Sequence, residues 1–173
     1  MTSAALTTAA RIARAWEVLG TVLDPEVPVL SVCDLGIVRE VRARARTLEI
    51  VLTPTYSGCP ATEVIEQEVL QALEAAGLGP AQVCLQLAPA WSSDWISREG
   101  RQKLRDYGIA PPQAVLSDGA VPVRWASRPG PSPACPRCGS TETTVLSAFG
   151  ATACKALHRC LTCREPFEYF KPL

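Results

Sequence analysis

Apolar residues recur at helical spacing in two stretches of the chain. The first stripe consists of Ile12, Ala15, Trp16 and Leu19. The second consists of Ile65, Val69, Ala72 and Ala76. Both patterns place apolar side chains on one face of a helix, and Gly20 and Gly77 directly after them favour helix ends. The sequence therefore predicts two amphipathic helices, ending near residues 20 and 76.

Strand-like patterns lie between and after these helices. In residues 47–53 the apolar residues Leu48, Ile50 and Leu52 stand at every second position, as in a strand with one buried face. A second β-like run precedes it at 37–42. We expect these two runs to form a hairpin and residues 83–87 to form a third strand. To reach that strand the second helix must cross the sheet, which predicts a small α/β sandwich: a mixed sheet with helices mainly on one face. A short helix is expected at 98–107.

The rest of the chain is divided by proline. The segment before the next cysteine-rich stretch contains Pro111, Pro112, Pro122, Pro129, Pro131 and Pro133. Proline at this density favours an extended chain. Beyond it, short β-like runs at 143–149, 156–159 and 167–170 surround four cysteines. The sequence thus predicts an α+β protein with an α/β domain at 1–110, a Pro-rich linker at 111–134 and a small β-rich ribbon at 135–173.

Composition narrows the class of protein. Lys plus Arg and Asp plus Glu are both 17, so the formal net charge is zero and no strong field would attract nucleic acid or anionic lipid. No apolar run is long enough to span a bilayer, and residues 1–10 do not resemble a secretory signal. We expect a cytoplasmic protein whose partners include neither nucleic acid nor a membrane. The single histidine also disfavours a His-based nucleophile, and therefore an enzyme.

Two Cys-x2-Cys pairs carry the strongest chemical signal. Cys135 and Cys138 are separated from Cys160 and Cys163 by 21 residues. Each pair can direct two thiolates from one tight turn at the same ion, and two such turns supply the four soft ligands that Zn2+ prefers. Iron would fit four thiolates equally well. Two disulfides are the alternative, but without an export signal metal binding is favoured.

Cysteine and histidine also occur between the two pairs. Cys154 and His158 could each replace a cysteine as the fourth ligand, although a four-cysteine site is simpler. Cys33 and Cys84 lie in apolar stretches and are expected to pack in the core. Trp91 and Trp95 could anchor a partner protein, but we favour a core role for them.

Cys59 lies where a strand passes into a helix. Pro60 suits the first helical position, which places the cysteine at the helix N-terminus. There the helix dipole favours thiolate over thiol, giving a better nucleophile or metal ligand. A buried small hydrophobe is the alternative, and the residues alone do not decide between them.

Carboxylates could accompany this thiol. Asp24, Glu26 and Asp34 lie in two turn-like segments that could converge near the same end of the sheet, and mixed thiolate and carboxylate groups can bind iron transiently. The alternative is that Asp24 and Asp34 cap turns by accepting backbone hydrogen bonds.

Several motifs together resemble known families. Asp24-Pro25-Glu26, Asp34-Leu35-Gly36, Thr53-Pro54-Thr55 and Gly58-Cys59-Pro60 resemble the SufT-type iron-sulfur assembly domain. The segments at 89–95, 107–112 and 149–157, with the four-cysteine ribbon, resemble the PaaD family of accessory subunits of bacterial phenylacetyl-CoA epoxidase systems. The resemblance covers nearly the whole chain.

This resemblance implies a non-catalytic helper in phenylacetate breakdown that assists assembly or repair of the iron-sulfur or iron centres of the epoxidase and its reductase. It implies that Cys59 is the reactive cysteine, with Asp24, Glu26, Asp34 and Thr55 beside it. The implied cofactors are structural Zn2+ in the ribbon and transient iron or an iron-sulfur cluster. Oxygenase or reductase subunits are the implied partners, and a homodimer is left open. A structural adaptor without metal transfer is the alternative function.

Overall fold

In the part of the chain that the computed structural model describes, residues 7–56, 58–113 and 132–173, three α-helices and seven β-strands form. Contacts divide the protein into two compact units. The first comprises residues up to Trp91 together with Trp95–Gly100, and the second comprises Ser92–Asp94 and Arg101–Leu173. Most of the predicted linker, residues 114–131, lies outside the described residues.

The first unit has a three-stranded sheet and two helices. Its elements are α1 (Thr8–Leu19), β1 (Val38–Arg44), β2 (Thr47–Leu52), α2 (Ala61–Ala75) and β3 (Ala81–Leu85). The strand order is β1-β2-β3, with an antiparallel β1–β2 hairpin and a parallel β2–β3 pair. The parallel pair requires α2 to cross the sheet, so the predicted order of helix, hairpin, helix and crossover strand is confirmed.

The third strand begins and ends two residues earlier than the predicted 83–87. Register with β2 decides this, since Leu48 pairs with Ala81 and Leu52 with Leu85. After Leu85, the Gln86 N-H still donates to the Leu52 carbonyl at 2.8 Å, and the chain then leaves the sheet.

The core of this unit is formed where α1 and α2 pack on each other and on the sheet. Leu19, Leu48, Ile50, Val69 and Leu73 are all fully buried. Leu19, Val69, Leu48 and Ile50 occupy apolar positions that the sequence pattern predicted, whereas Leu73 was not in the predicted stripe. Trp16 and Ala76, which were in the stripes, are exposed, because the buried face of each helix is rotated slightly from the predicted one. Burial of this apolar stripe is what fixes both helices against the sheet.

Truncating the central strand should destabilise the first unit. We expect Ile50→Ala, at a fully buried position, to lower the free energy of unfolding by about 2–5 kcal/mol through lost burial and the cavity left behind. Leu85→Ala is the matched control on the neighbouring strand, because Leu85 is 46% exposed. Urea unfolding followed by tryptophan fluorescence would measure both; equal losses would contradict this account of the core.

The second unit contains α3, a four-stranded sheet and the cysteine pairs. The elements are α3 (Arg98–Tyr107, whose first residues belong to the first unit), β4 (Ile109–Ala110), β5 (Thr143–Ser147), β6 (Lys155–Cys160) and β7 (Pro166–Phe170). The sheet order is β4-β7-β6-β5, with only the β4–β7 pair parallel. The predicted α+β class is confirmed, including the β-rich ribbon and the helix at 98–107. The two-residue strand β4 was not predicted.

No helix in the described residues is both long and apolar enough to cross a membrane.

Candidate functional site

The two Cys-x2-Cys pairs lie in matching turns of the second unit. In the first turn, the Gly139 N-H donates to the Cys135 carbonyl at 2.8 Å, and Gly139 has a φ of +75°, which favours glycine. In the second turn, the Cys160 N-H donates to the Glu165 carbonyl at 3.0 Å. Arg164 follows that turn with a φ of +65°. Each cysteine pair is thus held by a closed backbone turn.

The four sulfurs come together in one cluster. The Sγ atoms of Cys135, Cys138, Cys160 and Cys163 all lie within 4.8 Å of one another. The Cys135–Cys163 and Cys138–Cys160 sulfurs are 3.8 and 3.6 Å apart, well beyond a disulfide bond. A tetrahedral ion with Zn–S bonds of about 2.3 Å requires sulfurs about 3.8 Å apart. The donor set therefore fits one tetrahedral metal ion, and the disulfide alternative does not fit.

Backbone hydrogen bonds favour the metal-binding thiolate form. The Cys163 N-H lies 3.5 Å from the Cys160 sulfur. This bond is the main reason that the pKa of Cys160 is lowered to about 6. Around the sulfurs, Ala110 and Phe167 form a small apolar cluster with the buried cysteines, which keeps water away from one side of the site.

Cys154 and His158 do not join this cluster. Neither belongs to the group of close sulfurs, although both are buried. The Cys154 sulfur lies 3.0 Å from the Thr152 hydroxyl. The His158 ring packs against Phe167 and Tyr169, with centroids 5.7 and 5.2 Å away. Burial lowers the pKa of His158, which favours the neutral ring.

Cys59 lies in the loop that leads from β2 into α2. The sequence predicted Pro60 at the first helical position, but α2 begins at Ala61 and Pro60 is its N-cap residue, with no side-chain cap hydrogen bond. The Cys59 N-H donates to the Tyr56 carbonyl, and its own carbonyl accepts from the Thr62 N-H at 3.1 Å. The cysteine side chain is half-buried, beside an exposed Gly58 with a φ of +82°. Ser57 lies outside the described residues.

The Asp24 carboxylate caps its own turn. It is 7% exposed, and its Oδ1 accepts from the N-H groups of Glu26 at 2.9 Å and Val27 at 2.7 Å. This is the capping role that the sequence left open for Asp24.

The Asp34 carboxylate is buried in a network of hydroxyl groups. One oxygen accepts from the N-H and the hydroxyl of Ser31 at 3.0 and 2.8 Å, and the other from the Ser97 hydroxyl at 3.2 Å. Two residues later, Gly36 has a φ of +68°, and a Cβ there would lie 2.6 Å from the Trp95 carbonyl oxygen. The Asp-Leu-Gly motif therefore holds residues 95–97 against the rest of the first unit.

The candidate iron-handling residues do not form a ready-made site. Among the residues that the structure describes, the four-cysteine cluster is the only group of three or more Cys, His, Asp or Glu side chains with mutually close ligand atoms. Cys59, Asp24, Glu26 and Asp34 are not brought together in this way. Thr55 is half-buried in the same loop as Cys59.

The tryptophans have structural contacts in the first unit. Trp91 is 4% exposed and its indole N-H donates to the Leu35 carbonyl at 3.0 Å. The Arg39 guanidinium lies 3.5 Å from the centroid of the Trp95 ring. These contacts agree with the favoured core role rather than with an exposed anchor.

The core expectation is wrong for Cys84. This residue is exposed, like Gln82 and Leu85 of the same strand, and among the described residues β3 pairs only with β2. Cys33 is partly buried, and the pKa of its thiol is raised to about 11 by burial and secondarily by the charge of Asp34.

These environments predict different thiol reactivities. Because the thiolate is the reactive form and the raised pKa keeps Cys33 protonated at pH 8, iodoacetamide should label Cys84 much faster than Cys33 in the folded protein. Mass spectrometry of timed samples would measure both rates, with urea-unfolded protein as the control in which the difference disappears. Faster labelling of Cys33 in the folded state would contradict the burial described here.

Comparisons with known proteins match both units. Residues 12–83 match the family model for iron-sulfur cluster assembly proteins, and residues 121–171 match the PaaD zinc beta ribbon domain. The chain is 48% identical over 156 residues to a putative 1,2-phenylacetyl-CoA epoxidase subunit of Escherichia coli K12, covering 90% of each chain.

Two further relatives each match about half of this chain. An Fe-S protein maturation auxiliary factor of Porphyromonas gingivalis is 34% identical over 88 residues, covering 50% of this chain and 83% of that protein. A crystal structure of a DUF59 domain from Bacillus anthracis is 27% identical with a TM-score of 0.52, covering 56% of this chain and 93% of that one.

Proposed function

Because this chain belongs to the PaaD family of 1,2-phenylacetyl-CoA epoxidase accessory subunits, we propose that it is a non-catalytic maturation factor which assists assembly of the iron-sulfur or iron centres of an epoxidase system in phenylacetate catabolism. The match of residues 12–83 to iron-sulfur cluster assembly proteins is the observation that carries this proposal. The similarity to an Fe-S maturation factor supports the same role.

Cys59 is the residue that would hold the iron cargo. It is half-buried and therefore partly open to solvent, and it directly precedes a helix whose N-terminus has no side-chain cap. The positive end of the helix dipole favours a bound anion or a metal–thiolate group at this end. A carrier must release what it binds, so a single accessible thiolate suits transient ligation better than a closed four-ligand site.

Asp24, Glu26, Asp34 and Thr55 would support Cys59 rather than bind iron as a group. Asp24 and Asp34 accept hydrogen bonds from their own turns, so their direct role is to hold the two segments in shape. Any ligation by these carboxylates would require a change in those hydrogen bonds when the cargo arrives.

The ribbon would hold one structural Zn2+ through Cys135, Cys138, Cys160 and Cys163. Their sulfur spacing fits a closed tetrahedral site. Bound there, the ion would link the two turns and stabilise a sheet whose small core could not do so alone. The domain division at 1–110, 111–134 and 135–173 would separate the iron-handling part from this zinc-stabilised part.

Protein partners follow from membership of a subunit family. Within that group, the oxygenase or reductase subunits of the epoxidase are the proposed clients, and the cytoplasm is the proposed location. A homodimer is compatible with this role, and neither nucleic acid nor a membrane is needed for it.

A structural adaptor without metal transfer is the second candidate function. The observation in its favour is that the described residues around Cys59 do not present a preassembled group of ligands. Replacing the sulfur of Cys59 separates the two functions, because only a carrier needs the thiolate.

A further inference from the structure

Strand β5 lies at one edge of the ribbon sheet. It pairs with β6 on one side, and no strand among the described residues pairs with its other side. Its sequence, Thr143–Ser147, contains no charged residue and no proline, whereas proteins usually protect exposed edges with such residues. Val145 and Leu146 are 58% and 51% exposed, and Phe149 just beyond them is 66% exposed. This edge can accept a further strand.

A groove opens beside this edge on one face of the sheet. Its volume is about 370 Å3, and its lining includes Val145 from β5, Ala156 and His158 from β6, Tyr169 from β7, and Pro133. The walls are mainly apolar, and a volume of this size accommodates a large side chain. The groove and the strand edge share Val145, so one ligand could contact both.

Two polar groups in the groove indicate the chemistry of that ligand. His158 is 6% exposed, and its Nδ1 has no hydrogen-bond partner among the described residues. Lys171 also lines the groove, where its Nζ lies 4.5 Å from the centroid of the Phe149 ring and donates to the Ala148 carbonyl at 3.3 Å, and no carboxylate in the described part of the chain pairs with its charge. A carboxylate of a ligand in the groove could therefore form an ion pair with this ammonium group.

We propose that the β5 edge and this groove bind an extended segment of a partner protein, which adds a strand to β5, inserts an apolar side chain into the groove and places a carboxylate near Lys171. Strand addition uses main-chain hydrogen bonds for affinity and pockets for alternate side chains for specificity. The identity of the partner as another component of the epoxidase rests on the proposed function, whereas the surface itself rests on the geometry above.

The test measures binding of the full-length zinc-loaded protein to purified oxygenase and reductase subunits of the epoxidase by biolayer interferometry. Val145→Lys places a charge on the edge and in the groove, and should weaken binding by about tenfold or more. Lys171→Glu should weaken binding and reduce its dependence on salt. Leu161→Lys is the matched control, because Leu161 is 57% exposed in the same unit but lies outside β5 and the groove. This control should bind like the wild type.

The outcomes separate this proposal from the proposed function. Zinc content verifies that each variant retains its ribbon. If the wild type binds and Val145→Lys binds equally well, the docking surface is wrong while the proposed interaction with the epoxidase subunits stands. If the wild type binds none of the epoxidase components, both are wrong. If light scattering shows a wild-type dimer that Val145→Lys dissociates, the edge belongs to a second copy of this chain and the proposal is overturned.

Discussion

Cells that produce the Cys59→Ser variant are expected to show epoxidase activity no higher than cells that lack this protein. Serine keeps the size and polarity of the side chain but cannot form a thiolate at neutral pH, so it cannot hold iron in the way proposed. The side chain is half-buried and outside the main core, so the fold should survive. The measurement is phenylacetyl-CoA epoxidation and iron content of the epoxidase system purified from cells without their own copy of the gene.

Cys84→Ser is the matched control for this experiment. Cys84 is an exposed cysteine in the same unit, and its replacement should leave epoxidase activity unchanged. Circular dichroism and thermal unfolding verify that both variants fold. Full activity of Cys59→Ser, together with co-purification in fixed stoichiometry, would reject the carrier role and support a structural adaptor.

Removing one ribbon thiolate is expected to unfold the ribbon. In Cys138→Ser the remaining three sulfurs no longer complete the closed tetrahedral set, and the variant should lose most of its zinc. Binding of structural Zn2+ contributes about 10–16 kcal/mol in isolated zinc-finger peptides, which is more than the typical net stability of about 5–15 kcal/mol of a whole domain. The ribbon sheet should therefore lose its native order, while the elements of the first unit remain.

Metal analysis after anaerobic purification and nuclear magnetic resonance spectra would measure this effect. We expect one zinc ion per wild-type chain. Finding iron instead would show that the ribbon binds iron rather than zinc. Cys154→Ser is the control, since its sulfur contacts the Thr152 hydroxyl and does not belong to the close group. Stoichiometric zinc and a native ribbon in Cys138→Ser would contradict the four-cysteine site.

Much of the fold could be predicted because its signals are local. The apolar stripes of α1 and α2 and the alternation of β2 appear within a single element, so their bounds were predicted to within a few residues. The start of β3 was displaced by two residues, since its pairing with β2 rather than its own sequence sets the register. The two-residue β4 has no pattern of its own and exists only through its pairing with β7.

The candidate sites also contain features that local sequence predicts and features that depend on distant segments. Spacing alone predicted that Cys135, Cys138, Cys160 and Cys163 converge, because each pair shares one turn and the remaining hairpin brings the turns together. For Asp34 the sequence left two roles open, as a metal ligand or as a turn cap. One of the partners that engage its carboxylate, Ser97, lies 63 residues away in the sequence. The exposed position of Cys84 likewise depends on how β3 packs with the rest of the unit, which no single segment encodes.

By itself, then, the sequence determined the helices, the hairpin, the cysteine turns and the position of Cys59 before a helix, since each depends on residues within one or two turns of the chain. Only the tertiary structure decided which carboxylates are already engaged, which cysteines face solvent and where the ribbon leaves an open strand edge beside a groove. The physical reason is that burial and hydrogen-bond partnership depend on segments far apart in sequence, whose positions are set by packing rather than by local pattern.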